Sequence, residues 1–342
     1  MDLNLISRPS PVRSTSRVQV RPHMMGTLPL RIGTRASPLA VIQTRAFLRA
    51  LSGFCPVLRG LQAFEEHPIR TTGDATQASG QRLADIGGKG LFAKEIHEAL
   101  LDRRIDFAVH SLKDLETTLP SGIVLACTLK REDARDALIL ETGCQEMDIA
   151  DPWAALPKRA VIGTASLRRQ AQLLHTRPDL RVVTLRGNVQ RRIDAVEQGK
   201  CAATLLALAG LRRLGIGVRE SCVLDPEIMV PAAGQGIVGI TVRADDDELQ
   251  ELLAAIEDPE AKAISTAERA LLAALDGSCR TPIGGYARVL PDGRLHLSGL
   301  VARADGSFLL KRWRRGAASD AARLGAELGA SLRADSPRDI FT

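Results

Sequence analysis

Ala160-Val161-Ile162-Gly163-Thr164-Ala165-Ser166-Leu167-Arg168-Arg169-Gln170 reads as a buried strand turning into a helix. The first four residues are apolar or small, Ser166 is a helix-capping type, and Leu167 to Leu174 carries a helical pattern. The same unit recurs downstream. Arg181-Val182-Val183-Thr184-Leu185 predicts a second buried strand, and Val189 to Gln198 a second helix. Upstream, Leu28-Pro29-Leu30-Arg31-Ile32-Gly33 predicts a strand, Ser37 and Pro38 open a helix, and Ile105 to Val109 predicts another strand. This alternation implies an α/β protein with mostly parallel sheets.

The last third changes character. A long helix is expected from Pro259 to Leu275. Three strands follow, Tyr286 to Leu290, Leu295 to Ala302 and Phe308 to Trp313, then a terminal helix from Ala318 to Leu332. The turns Pro291-Asp292-Gly293 and Ala304-Asp305-Gly306 make the strands antiparallel, a small separate α+β unit.

The chain has 342 residues, enough for two or three domains. Hydrophobic residues make up 45% and charged residues 25%, as in ordinary globular proteins. Aromatics are only 3%, too few for base stacking on single-stranded nucleic acid. The net charge of +6 favours an anionic partner. Six cysteines, at 55, 127, 144, 201, 222 and 279, show no CxxC pair. No disulfide framework and no metal site are expected, and a reducing compartment fits. No apolar run is long enough to span a membrane. Residues 1–27, with Arg8, Arg13, Arg17 and Arg21 and the single acid Asp2, are transit-like in composition. They are expected to be a disordered tail, or sequence upstream of a true start at Met24 or Met25.

Arginines gather where strands pass into helices. Arg168 and Arg169 fall in a first helical turn, where positive charge is unfavourable unless an anion is bound. Paired guanidiniums suit carboxylate or phosphate; a solvated basic face is the alternative. Leu185-Arg186-Gly187-Asn188-Val189-Gln190-Arg191-Arg192 repeats the design, and Arg212 and Arg213 add to it. Ligands of open α/β sheets bind outside the carboxyl ends of the strands, so several such clusters imply a ligand with many negative groups. Val109-His110-Ser111-Leu112-Lys113-Asp114 closes another strand. Asp114 is a helix cap, a partner for Lys113, or a carboxylate that stabilises a developing cation. Gly87-Gly88-Lys89-Gly90 is a glycine-rich loop without P-loop spacing.

Cys279 lies in Asp276-Gly277-Ser278-Cys279-Arg280-Thr281-Pro282, just after the long helix. Glycine and proline around one thiol describe an exposed turn and make the cysteine a candidate for covalent chemistry. The alternative is a small apolar residue packed under a helix end.

Taken together the segments resemble the porphobilinogen deaminase (hydroxymethylbilane synthase) family, from Leu30 to Leu332. The carriers are Gly33-Thr34-Arg35-Ala36-Ser37-Pro38-Leu39-Ala40, Thr72-Gly73-Asp74, Lys89-Gly90-Leu91-Phe92, His110-Ser111-Leu112-Lys113-Asp114, Gly163 to Gln170, Leu185-Arg186-Gly187-Asn188, Gly234-Gln235-Gly236 and Gly277-Ser278-Cys279. The resemblance implies a dipyrromethane cofactor bound by a thioether to Cys279. Onto it four porphobilinogens are joined head to tail with loss of ammonia, and hydrolysis releases hydroxymethylbilane. It implies a central role for Asp114, facing the pyrrole nitrogens. Lys89, Ser111, Lys113, Ser166, Arg168 and Arg169 match cofactor-binding positions. Arg35, Arg186, Arg192 and Arg213 match positions linked to substrate carboxylates, chain elongation or proton handling, and Arg213 is also counted with the cofactor set.

The implied fold has two periplasmic-binding-protein-like α/β domains and a small C-terminal α+β domain. Expected boundaries are 28–130 with 233–256, then 131–232, then 257–342 carrying the cysteine. A cytoplasmic monomer is expected, with porphobilinogen as substrate and neither nucleic acid nor membrane as partner. An organellar stroma would follow if residues 1–27 are a transit peptide. Four positions depart from the pattern: Leu115-Glu116 stand where Val-Pro is usual, Thr241 where an acid is common, and Ala202 lies where an aspartate is often seen. The alternative function is an anionic-solute receptor of the two-lobed type, which would need an export signal and would have no use for Cys279.

Overall fold

The computed structural model describes residues 28–59, 62–75, 90–140, 148, 150–218, 222–275 and 281–341. Three sheets organise them. The first contains β1 (Leu30–Arg35), β2 (Phe64–Ile69), β3 (Phe107–Ser111), β4 (Ile123–Thr128) and β9 (Val238–Arg243), in the order β2-β1-β3-β9-β4. β1 is parallel to β2 and β3, whereas β9 runs antiparallel to both β3 and β4. Four strands therefore point one way and β9 alone is reversed, so the sheet is mixed. Helix α1 (Pro38–Phe54) starts as its sequence dictates: the Ser37 hydroxyl accepts from Ala40 N at 3.3 Å and Pro38 fills the first position. Its apolar face buries Phe47 and Leu51 against Ile32, Phe107, Ile240 and Val242. The Phe47 and Phe107 rings meet edge-on at 5.4 Å. Three further helices belong to this part, α2 (Thr72–Ala75), α3 (Lys94–Leu101) and, after β9, α7 (Asp247–Ala254).

The second sheet contains β5 (Asp136–Leu140), β6 (Val161–Gly163), β7 (Arg181–Val183) and β8 (Ala203–Ala207), in the order β5-β8-β6-β7. Only β5 is reversed. Helices α4 (Leu167–Thr176), α5 (Val189–Glu197) and α6 (Leu208–Arg213) each follow a strand of it. Leu138, Ile162, Leu173, Leu205 and Met229 form its core. β7 stops at Val183, short of the expected Leu185, and is not the buried strand expected: it is an edge strand paired to β6 over three residues, with Arg181 and Val183 exposed.

The third sheet is the antiparallel meander β10 (Ile283–Val289), β11 (Arg294–Ala302) and β12 (Leu309–Ala317). Helices α8 (Pro259–Ala274) and α9 (Ala321–Ala334) cover it. β12 runs four residues past the expected Trp313. Its extension, Arg314 to Ala317, is polar and lies on a sheet edge, where charged residues are tolerated and the apolar signal fails. Cys55, Cys127 and Cys201 are buried free thiols. Cys222, however, is disulfide-bonded. This corrects the expectation drawn from scattered cysteines, since spacing along a chain does not report distance in space. Among the described residues no helix is long and apolar enough to cross a membrane.

Candidate active site

β1 and β3 are parallel neighbours, so their carboxyl ends lie side by side. Arg35 ends β1, and the turn Leu112–Asp114 follows β3. There Arg35 Nη1 meets Asp114 Oδ2 at 3.4 Å. The rest of the Arg35 fork holds Asp74, with Nη2 to Oδ1 at 2.5 Å and Nε to Oδ2 at 3.3 Å. The Thr71 hydroxyl donates to Asp74 Oδ2 at 2.8 Å, and the Phe92 ring lies 4.2 Å from the guanidinium. Burial alone would raise the Asp74 carboxyl, but Arg35 and Thr71 hold it below its ordinary value. Among the described residues Asp114 caps no helix and forms no direct ion pair with Lys113, although its charge acts on that ammonium. Its turn has no side-chain cap, and Lys113 Nζ donates instead to Gln235 Oε1 at 3.2 Å. Ser111 Oγ donates to Gln43 Oε1 of α1 at 3.0 Å.

Lys113 presents exposed surface, while its ammonium, held at Gln235 Oε1, is desolvated. That burial pushes its pKa down to about 8; Arg169 and Arg168 push the same way, against Asp114 and Asp136.

Across from this turn, Ser166 caps α4, its hydroxyl accepting from Arg169 N at 3.5 Å. The two arginines of that first turn find their anion inside the protein. Asp136, fully buried, receives Arg168 Nη2 on Oδ2 and Arg169 Nη2 on Oδ1, each at 2.8 Å. Arg168 Nη1 also donates to Val230 O at 2.6 Å, and Arg169 Nη1 to Leu205 O at 2.7 Å. Burial would raise the Asp136 carboxyl; the two guanidiniums instead hold it far below the usual carboxylate range. Gln235 Nε2 donates to Asp136 Oδ1 at 2.8 Å. One polar chain thus runs from Lys113 through Gln235 and Asp136 to Arg168 and Arg169.

Three more arginines complete the arrangement. Arg186 Nη2 reaches Gly73 O at 3.2 Å, from the loop after β7 to α2. Arg192 Nε donates to Gly187 O at 2.9 Å, and Arg213 Nη2 to Gly236 O at 2.7 Å. Burial pushes Arg192 down to about 10, with Arg169 and Arg186 adding to the effect. Lys89 and Cys279 lie outside the described residues.

Residues 30–251 match the family described as porphobilinogen deaminase, dipyromethane cofactor binding domain, and residues 262–334 match porphobilinogen deaminase, C-terminal domain. Porphobilinogen deaminase of Paracoccus denitrificans is 46% identical over 316 residues, covering 92% of this chain and 96% of that protein. The chain belongs to the porphobilinogen deaminase family. Chloroplastic porphobilinogen deaminase of Oryza sativa is 45% identical over 306 residues, 90% of this chain and 83% of that protein. Among solved structures, the periplasmic aliphatic sulphonate-binding protein SsuA of Escherichia coli aligns with 73% of this chain and 75% of its own. That likeness, at 16% identity and a TM-score of 0.38, carries no further argument.

The residues present fit the dipyrromethane cofactor of porphobilinogen deaminases. Each guanidinium has five N–H donors. Arg168 and Arg169 each spend two, and the buried Nε of each has no hydrogen-bond partner. Lys113 and Arg192 carry charge depressed by burial and by like neighbours. A donor-rich, cation-rich cluster of this kind suits a ligand bearing several carboxylates. Sequence reading missed Asp136, Gln235 and Asp74 as parts of this site. For Asp136 a signal exists: a charge opening the apolar run Asp136-Ala137-Leu138-Ile139-Leu140 must find a buried partner.

Proposed function

We propose that this chain is a transferase that joins four porphobilinogens head to tail and releases hydroxymethylbilane. Each joining breaks the substrate's aminomethyl C–N bond, forms a C–C bond to a pyrrole α-carbon and discharges that carbon's proton. Four ammonia molecules leave and one water enters at release. A dipyrromethane held through a thioether to Cys279 supplies the first acceptor pyrrole and stays on the protein.

The observation that carries the reading is Asp114, a partly exposed carboxylate 3.4 Å from Arg35 in a cluster otherwise rich in cations. Loss of ammonia leaves positive charge spread over the substrate's pyrrole. A carboxylate fixed beside that ring lowers the barrier, because it needs no reorganisation as the charge forms. Arg35, tied to Asp74, holds Asp114 in place. Arg186 and Arg192 bind the acetate and propionate groups of incoming substrate. Lys89, Ser111, Lys113, Ser166, Arg168, Arg169 and Arg213 bind the cofactor's carboxylates. We further propose the units 28–130 with 233–256, 131–232, and 257–342, and a cytoplasmic monomer.

The test is the intact mass of the purified chain together with turnover of porphobilinogen. The mass is expected to exceed the sequence mass by two pyrrole units, and Cys279→Ala is expected to abolish both increment and turnover. A fully active Cys279→Ala chain without the increment ends this reading.

A further inference from the structure

Asp136 has no place in the chemistry described so far, yet it ties together donors from three residues. It opens β5, its side chain is completely buried, and three donors converge on it at 2.8 Å. Two are guanidiniums, themselves 6% exposed. The third is the amide of Gln235, which also donates to Ala134 O at 2.7 Å and accepts from Lys113. Gln235 lies between Gly234 and Gly236, in the stretch that leads into β9 of the first sheet. One carboxylate therefore joins two cations of the second sheet directly and, through Gln235, one that follows β3 of the first.

A buried, unpaired guanidinium costs more than its ligand contacts return, so two of them side by side require a fixed anion. Asp136 meets that need without neutralising the site, because one negative charge faces Arg168, Arg169 and, through Gln235, Lys113. The cluster keeps a net positive charge, and each guanidinium keeps its Nε donor unspent. We infer that Asp136 is a positioning residue, which holds Arg168, Arg169 and Lys113 in the arrangement that captures the dipyrromethane carboxylates. This rests on the function proposed above.

The test compares full-length Asp136→Asn, Asp136→Glu and Leu173→Ala with the wild type. Leu173 lies on α4 in the core of the second sheet, so its truncation weakens the same helix without touching a charge. Each purified chain is read by intact mass, for the fraction carrying the two-pyrrole increment, and by thermal melting. Asp136→Asn is nearly isosteric and is expected to carry the increment in about a tenth of the wild-type fraction or less, the usual scale for losing a residue that orients ligand-binding groups. Leu173→Ala is expected to load fully despite its lower melting temperature, and Asp136→Glu, which restores the charge, to load better than Asp136→Asn. Loading of Asp136→Asn equal to that of Leu173→Ala overturns the inference and leaves the proposed function standing. A wild-type chain without the increment overturns the function, and the inference with it. If Asp136→Asn does not fold, Gln235→Leu decides: several-fold poorer loading supports the inference, and normal loading overturns it.

Discussion

Asp114 is 32% exposed and, among the described residues, its carboxylate hydrogen-bonds only Arg35, at 3.4 Å, so its replacement is expected to disturb little else there. Asp114→Asn is expected to fold and melt like the wild type but to lose about 10²–10³ in single-turnover rate. Asp114→Glu, charged but displaced by one methylene, should also be slow. An Asn variant at full rate would reduce Asp114 to a prop for Arg35. Lys113 makes a pH prediction. Its ammonium, at about 8, is charged at neutral pH and loses its proton above 8. A bound carboxylate favours the charged form, so capture of the two-pyrrole group should weaken as pH rises past 8. Lys113→Arg stays charged and should carry the fall to higher pH; mass gain followed against pH shows whether it does. Unfolded, the lysine keeps its proton to its ordinary 10.5. The unfolded chain then binds more protons between pH 8 and 10.5, and this group alone makes stability rise with pH in that window. At this scale the sequence disclosed the cations but not their partners. Arg168 and Arg169 stand in a first turn and so announce an anion, whereas nothing near them in the chain says that Asp136 is one.

Helices α8 and α9 approach so closely that only glycine fits at two points of contact. A Cβ on Gly325 would stand 2.2 Å from Ala267 O, and one on Gly329 would stand 2.6 Å from the Ala274 Cβ. Gly325→Ala is therefore expected to cost about 1–3 kcal/mol, as overpacking does. Gly53→Ala, near the end of α1 with no atom within 4 Å of the added carbon, should instead gain about 0.5–1 kcal/mol. Melting of the two variants in opposite directions checks both. Helices α1 and α4 were legible because apolar period and capping agree at Ser37 and Ser166, whereas the buried strands β4, β5, β8 and β9 and the helices α3 and α7 were not singled out. Two other strands lack that agreement. β2, with Glu65, Glu66 and Pro68, is an edge strand without an alternating pattern. β12 continues through charged residues because its ladder with β11 runs to Ala317. One departure from the family pattern also resolves here. Thr241 of β9 shares a hydrogen bond of 2.9 Å with His110 of β3, and burial pushes that imidazole down to about 3. An acid at 241 would draw a proton onto the ring; threonine leaves it neutral.

Across the whole molecule, Glu268 of α8 is a junction between parts distant in sequence. Fully buried, it accepts from Arg131 Nη1 at 2.7 Å, from Gly234 N at 2.6 Å and from Ala287 N at 2.7 Å. These donors precede β5, precede β9 and sit on β10. Glu268→Gln would leave Arg131 with no buried carboxylate, and is expected to cost about 3–5 kcal/mol, read by denaturant unfolding. Such junctions escape sequence reading because 137 residues separate Arg131 from its partner. The order of the first sheet has a consequence for how the chain comes off the ribosome. β9 lies between β3 and β4, yet it is made after the whole second sheet. Until residue 243 has emerged, β3 waits with an open edge and β4 with no strand to pair with, while all four strands of the second sheet are already available to pair. The nascent protein therefore completes its middle before its beginning, and a chain arrested just short of β9 exposes sticky strand edges to its neighbours.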